Sequence, residues 1–197
     1  GVLSRIGFLL RVHVTGFALL LQGLDGGYIE PASGGDPILN PLALPTGRNM
    51  YSIDAEKTPS HAAWRVGVEL AESLINSHLD QHGEYPKKVA FTLWPSSFIH
   101  SQGATVAEVL YLLGVEPIRD PFGRIQTLKL IPQQVLGRPR IDVVVQSAGQ
   151  LRDLAASRLA LIEEAVEMAA NAKDQGDNYV DGGIKAAEAY LLNQGMA

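Results

Sequence analysis

Residues 136–153 have the sequence Leu136-Gly137-Arg138-Pro139-Arg140-Ile141-Asp142-Val143-Val144-Val145-Gln146-Ser147-Ala148-Gly149-Gln150-Leu151-Arg152-Asp153. The run from Ile141 to Gln146 is nearly continuous Ile and Val, which predicts a strand that is covered on both faces. A basic turn precedes this strand, and Gly149 follows it and opens a helix. The stretch therefore predicts a strand–turn–helix unit with charged groups at both ends of the strand.

Helical and strand patterns alternate on both sides of this unit. Thr58-Pro59 has the pattern of an N-cap followed by proline at the first helical position, and Gly83 ends that helix after His82. Further helices are predicted over Ala104–Leu113, Leu151–Ala172 and Tyr179–Asn193, and further strands over Val89–Trp94, Val115–Arg119 and Arg124–Ile131. The alternation predicts an α/β fold, with a βαβ-type sheet of about four or five strands covered by helices.

A long Gly/Pro-rich segment, residues 23–58, precedes this domain. We expect an ordered loop, because it carries apolar anchors that a flexible linker lacks, namely Tyr28, Ile29, Ile38, Leu39, Leu42 and Leu44. Arg5 and Arg11 interrupt the apolar stretch Val2–Leu24, and the uncharged remainder, Val12–Leu24, is shorter than the roughly 20 residues that a membrane-spanning helix needs. It predicts a core helix, or a helix whose packing partner lies outside the chain. The predicted division is therefore residues 1–58, helix and loop, and residues 59–197, an α/β domain that continues into a helical region.

Composition excludes several classes of function. The chain has 197 residues, 16 basic against 21 acidic side chains and a formal net charge of −5, so it lacks the basic excess of a nucleic-acid-binding protein. The absence of cysteine excludes disulfides, thiolate zinc sites and iron–sulfur clusters within these residues. No Walker lysine motif and no dinucleotide-binding glycine motif occurs, so we do not expect this chain to hydrolyse ATP by itself.

Polar and aromatic residues follow two of the predicted strands at their carboxyl ends, where ligands bind in open α/β sheets. If the strands are neighbours, one cleft brings together Trp94, Ser96, His100, Ser147, Gln150, Arg152 and Asp153. Such a set offers an aromatic wall and a cation to a large planar acid. In the alternative, Trp94 belongs to the core, residues 147–153 are a helix start, and Arg152 and Asp153 pair with neighbours.

Two further pairs of residues could bind anions. Arg138 and Arg140, held by Pro139 at the amino end of the strand, suit a carboxylate clamp or surface ion pairs that hold a turn. Arg48 and Asn49 either donate hydrogen bonds to a ligand from the ordered loop or hold the loop itself together.

His78 and His82 have the i, i+4 spacing of metal ligands on one helix face. They lack a further ligand at a suitable spacing and lie in a last helical turn, where the helix dipole favours histidine. We therefore predict no metal site.

Two sequence blocks resemble the large subunit shared by cobaltochelatase of the CobN type and magnesium chelatase. One is the stretch from Gly137 to Asp153. The other is Leu24-Asp25-Gly26-Gly27-Tyr28 with Gly34-Gly35-Asp36-Pro37 and Leu44-Pro45-Thr46-Gly47-Arg48-Asn49, which is most similar to the cobalt branch. Family members are several times longer than 197 residues, so the resemblance implies an internal portion of such a subunit.

The resemblance implies a tetrapyrrole-binding subunit of a cytoplasmic enzyme. In this family, two AAA+ partner subunits hydrolyse ATP to drive metal insertion, and cobalt would enter hydrogenobyrinic acid a,c-diamide in cobalamin biosynthesis. Cobalt would be the substrate metal, with no cofactor bound by these 197 residues alone and the catalytic residues unassigned. Pro95-Ser96 after Trp94 and Ala148-Gly149-Gln150-Leu151 depart from the commoner members. Two alternatives therefore stay open, a haem-handling dechelatase-like relative of anaerobic haem uptake and a non-catalytic docking domain for the AAA+ subunits.

Overall fold

The structure, a computed structural model, describes residues 14–35, 37–38, 40–173 and 177–195, without the side chain of Leu42. The chain divides into two compact units, Gly1–Asp54 and Ala55–Ala197. Among the described residues, no helix combines the length and the apolar character needed to cross a membrane.

The first unit begins, in its described part, with a helix that ends at residue 24 (α1). Two short strands, β1 (Ala32–Ser33) and β2 (Asn49–Tyr51), pair in parallel, and a 3₁₀ turn spans Pro41–Ala43 between them. The side-chain amide of Asn49 donates to the carbonyls of Ser33 and Ala43, both at 2.8 Å. Amide hydrogen bonds therefore join the strands to the turn.

The predicted apolar anchors account for only part of this order. Tyr28 and Ile38 are exposed, Ile29 and Leu44 are half-buried, and Leu39 and the side chain of Leu42 lie outside the described residues. The apolar side chains Phe17 and Leu24 of α1 are exposed as well, so the described part of this helix is not a core helix. Polar groups hold the segment as well, since the Asn49 amide satisfies two of its backbone carbonyls.

The second unit alternates helices and strands, which confirms the predicted α/β class. Its elements are a 3₁₀ turn (Ala55–Lys57), α2 (His61–His82), β3 (Lys88–Leu93), α3 (Pro95–His100), α4 (Ala104–Leu112), β4 (Val115–Arg119), β5 (Ile125–Leu130), α5 (Gln133–Leu136), β6 (Asp142–Ser147), α6 (Gly149–Ala170) and α7 (Tyr179–Asn193).

Helix α2 begins two residues later than predicted. Ser60 is the N-cap, and its hydroxyl accepts a hydrogen bond from the amide of Ala63 at 3.1 Å. Thr58-Pro59, whose peptide bond is cis, precedes the helix, and the first helical residue is His61 instead of Pro59. Gly83 ends the helix in the left-handed conformation, as the sequence indicates.

Instead of one sheet of four or five strands, the second unit has two separate two-stranded sheets within its described residues. β3 pairs with β6 in parallel, and β4 pairs with β5 in antiparallel orientation. The Asp120–Gly123 turn accounts for the antiparallel pair, because a turn this short can join only antiparallel strands. The Asp120 carboxylate fixes the turn by accepting from the amides of Phe122 and Arg124 at 2.9 and 2.8 Å.

Helix α4 lies at the centre of the core. Its residues Val109, Leu110 and Leu112 are fully buried, and α2 packs along it. A buried cluster of Ala71, Ile75, Leu112 and Ile141 joins the two helices to the start of β6. The opposite face of β6 is partly open, so the prediction that this strand is covered on both faces is wrong for the described chain.

Candidate functional site

Strands β3 and β6 end side by side. They are parallel neighbours in register from Lys88↔Asp142 to Leu93↔Ser147, which confirms the adjacency on which the predicted cleft depends. The amide of Ala148 continues the pairing with a 3.2 Å hydrogen bond to the Leu93 carbonyl. The chain segments that follow both strands therefore begin at the same edge of the sheet.

Each strand leads directly into a helix at this edge. α3 begins at Pro95 with Trp94 as its N-cap, and α6 begins at Gly149. One apolar side chain anchors each first turn, because Phe98 in α3 and Leu151 in α6 are both buried. The polar residues between these anchors are consequently directed to the surface.

The predicted site residues at this edge are accessible. The Trp94 side chain is 58% exposed, so Trp94 is not part of the core. Exposed residues at the same edge are Ser96, His100, Gln150, Arg152 and Asp153, and Ser147 is half-buried. Within the described residues the side chains of Arg152 and Asp153 form no hydrogen bond or ion pair, in contrast to the structural pairing considered as the alternative. We refer to these seven residues as the strand-end platform.

Groups that can attract an anion lie at the start of α6, on one side of the platform. The first turn of α6, all of which is described, has no acidic residue, and its N-cap Ala148 offers no side-chain acceptor. The first backbone amides of α6 therefore keep the partial positive charge of a helix N-terminus. Arg152 adds a full positive charge in the first turn and Asp153 a negative charge beside it, so a ligand carboxylate would be received by the Arg152 guanidinium and the first amides of α6, away from Asp153.

Arg138 and Arg140 are buried beneath the surface and do not fit the predicted carboxylate clamp. Arg140 is only 1% exposed. Its guanidinium group donates to the carbonyls of Leu113, Gly114 and Ile131 at 3.1, 2.6 and 2.9 Å. Arg138 donates in the same way to the carbonyls of Tyr111 and Leu112. The two guanidinium groups therefore satisfy backbone carbonyls at the C-terminus of α4, which have no partner within the helix.

A second layer of contacts surrounds Arg138. Its guanidinium carbon lies 4.8 Å from the ring centroid of Tyr111, and the Tyr111 hydroxyl donates a hydrogen bond to the Glu72 carboxylate. Burial raises the pKa of Tyr111, and the nearby Glu72 carboxylate raises it further. Burial likewise lowers the pKa of Arg138. The contacts tie α2 to the turn that precedes β6.

The other predicted polar residues have local roles. Asn49 is a staple within the first unit, as described above, and Arg48 lies 3.6 Å from the Glu30 carboxylate. His78 and His82 contact one another at the end of α2, with ring centroids 4.4 Å apart. Among the described residues, no three His, Cys, Asp or Glu side chains come together as a group that could hold a metal ion.

One buried arginine was absent from the sequence-based prediction. Arg158 is 4% exposed and donates to the Thr58 carbonyl at 3.1 Å and to the Glu56 carboxylate at 3.0 Å. A signal existed, because position 158 lies four residues from both Leu154 and Ile162 on the apolar stripe of α6. A charged residue within such a stripe predicts a buried hydrogen-bonding role.

Comparison with known proteins identifies the family. The family described as CobN/Magnesium Chelatase matches residues 14–197. The chain belongs to this family. It is 35% identical over 186 residues to the aerobic cobaltochelatase subunit CobN of a Sinorhizobium species and 42% identical over 183 residues to the H subunit of magnesium chelatase from Cereibacter sphaeroides. These alignments cover 93% and 92% of this chain but only 14% and 15% of the relatives, so the chain spans about one seventh of their length.

The fold is also found in a solved member of the CobN/magnesium chelatase family. The structure of the catalytic subunit of cobaltochelatase from Mycobacterium tuberculosis superposes with a TM-score of 0.73 at 38% identity. It covers 94% of this chain, and this chain covers 16% of it. The α/β arrangement described above is therefore similar to that of one portion of a cobaltochelatase catalytic subunit.

Proposed function

We propose that the whole protein inserts cobalt into a corrin precursor, hydrogenobyrinic acid a,c-diamide, while AAA+ partner subunits hydrolyse ATP. The observation that carries this proposal is the strand-end platform at the ends of two neighbouring parallel strands, where Trp94 is exposed and Arg152 has no partner among the described residues. A corrin precursor has a wide apolar ring and peripheral acid groups. The platform offers a partner to each of these features.

The chemical role of the platform is to hold the macrocycle rather than to react with it. An indole ring gives the macrocycle an apolar surface for stacking, and a guanidinium forms paired hydrogen bonds with a carboxylate. The hydroxyl of Ser96 and the amide of Gln150 supply neutral donors beside these two groups. Holding the ring at its edge leaves its centre free for a metal ion that other parts of the subunit deliver.

Cobalt is the proposed metal because the Gly/Pro-rich block is most similar to the cobalt branch and because a cobaltochelatase subunit superposes on nearly the whole chain. Magnesium is the second candidate. The specific observation in its favour is the 42% identity to the magnesium-chelatase relative, against 35% to the CobN relative.

Metal insertion by the full-length protein tests the proposal. The protein is mixed with its AAA+ subunits, ATP and either Co²⁺ with hydrogenobyrinic acid a,c-diamide or Mg²⁺ with protoporphyrin. We expect the absorbance change of insertion with cobalt and none when ATP is omitted. Insertion of magnesium alone would transfer the assignment to the second candidate. Release of metal from haem would assign the dechelating activity instead, and AAA+ binding without tetrapyrrole binding would identify a docking domain.

Arg152→Ala tests the platform directly. We expect tetrapyrrole binding by the full-length protein to weaken by about 1.5–3 kcal/mol, the range for a hydrogen bond to a charged group. The melting temperature should stay nearly constant, because Arg152 is exposed and its side chain has no described partner. A Soret-region titration measures the affinity.

Arg124→Ala is the matched control, because Arg124 is an exposed arginine on the turn between β4 and β5, outside the platform. This variant should bind tetrapyrrole with unchanged affinity. A loss of stability with intact affinity in Arg152→Ala would contradict the platform and give Arg152 a structural role.

A further inference from the structure

The outer face of the β3–β6 sheet is unusual for a parallel sheet. Residues in register share a face, and the pairs Ala90↔Val144 and Thr92↔Gln146 are all exposed. Val144, in the middle of β6, is 50% exposed. The inner face, by contrast, has Val89, Phe91 and Val143 packed on the buried cluster between α2 and α4.

Only the amino end of this outer face is covered. Asp142 forms an ion pair with Lys88 at 2.8 Å and lies under α7, where a Cβ added to Gly183 would be 2.5 Å from its carboxylate. From Ala90 and Val144 onward, no described element covers the sheet. Each strand also has a single ladder partner within the described chain, so half of the backbone groups of each strand are directed to an open edge.

A two-stranded parallel sheet with an uncovered face and open edges is unfavourable in a folded protein. Parallel sheets occur almost only with both faces covered, and two strands alone have marginal stability in water. An open strand edge also pairs readily with another strand. The β-branched residues Val143, Val144 and Val145 suit a strand that is buried on both sides.

We infer that β3 and β6 belong to a larger parallel sheet in the whole protein, completed by a further strand and a covering helix from the same polypeptide outside these 197 residues. The amount of chain supports this occupant, because the chain spans only 14% to 16% of its relatives. A parallel strand requires a crossover of a dozen or more residues, which a long polypeptide provides. The covering contact buries Val144 and leaves the strand-end platform at the edge of the enlarged sheet.

Cysteine labelling of the full-length protein tests this inference. The 197 residues contain no cysteine, so Val144→Cys introduces a thiol whose alkylation can be followed by mass spectrometry on the tryptic peptide 141–152. Val135→Cys is the control, because Val135 is also an exposed valine but lies on α5, away from the sheet face. We expect the Val144→Cys thiol to react at no more than about one tenth of the rate of the Val135→Cys thiol, because only locally opened molecules expose a covered thiol. In urea, both thiols should react at the same rate.

Three results would overturn the inference. Equal labelling of the two native variants would mean that the face is open in the whole protein. Protection that appears only at high protein concentration would identify a second copy as the occupant, and protection that requires added tetrapyrrole would identify the ligand. If Val144→Cys fails to fold, hydrogen exchange of the unmodified full-length protein decides, because a strand paired on both sides protects consecutive amides whereas an edge strand protects alternate ones.

Discussion

Arg140→Met is expected to lower the free energy of unfolding by about 4 kcal/mol, because it leaves buried carbonyl groups without a donor at about 1–3 kcal/mol each. Methionine keeps an apolar side chain of similar length but cannot donate to the carbonyls of Leu113, Gly114 and Ile131. Gly114 keeps one partner, since its carbonyl also accepts from the Ile131 amide. The loss therefore comes mainly from Leu113 and Ile131. Urea unfolding followed by circular dichroism measures it.

Arg152→Met is the control for this substitution. Arg152 is exposed and its side chain makes no described contact, so the same chemical change should alter stability by no more than about 0.5 kcal/mol. If Arg140→Met lowered the free energy of unfolding as little as Arg152→Met, water would have to donate to these carbonyls in place of the guanidinium group. Arg140 would then be an accessible residue, and its predicted role as a carboxylate clamp would need to be considered again.

The arginine pair shows which part of the structure a sequence can predict. The local sequence pattern predicts that both arginines lie in a turn just before β6, and the strand begins one residue after its predicted start. Four of the carbonyls to which they donate, those of residues 111–114, are 26 or 27 residues away, at the end of another helix. A contact of this separation depends on how elements pack, which no local periodicity encodes.

The strands illustrate the same limit. Short apolar runs predicted β3 and β6 within one residue, and the rule for parallel sheets predicted that their ends form one edge. The number of strands in each sheet was wrong, because pairing across a sheet is a long-range choice that strand composition does not specify. Trp94 was ambiguous for a related reason, since an aromatic residue after a strand suits either the core or a ligand surface.

Alanine substitution at Gly67 and at Gly182 should change stability in opposite directions, although both residues lie within helices. At Gly67, in α2, an added Cβ would lie 2.5 Å from the Ala107 Cβ, 2.6 Å from the Ala104 carbonyl oxygen and 2.7 Å from the Glu108 amide nitrogen. Two of these atoms are backbone, so α2 and α4 must separate. At Gly182, in α7, the same atom meets nothing within 4 Å.

At each position, the gain in helix propensity competes with the cost of overpacking, and the larger of the two decides whether alanine stabilises the protein. Replacing glycine by alanine inside a helix favours folding by up to about 1 kcal/mol, which is the whole effect expected for Gly182→Ala. Overpacking costs about 1–3 kcal/mol and occasionally more, so at Gly67 a cost near 3 kcal/mol exceeds the gain in helix propensity of about 1 kcal/mol and leaves a net loss of about 2 kcal/mol. Parallel urea titrations of the two variants give both values. A stabilised Gly67→Ala would mean that α2 and α4 can move apart without cost, and that the packing along α4 does not determine the position of β6.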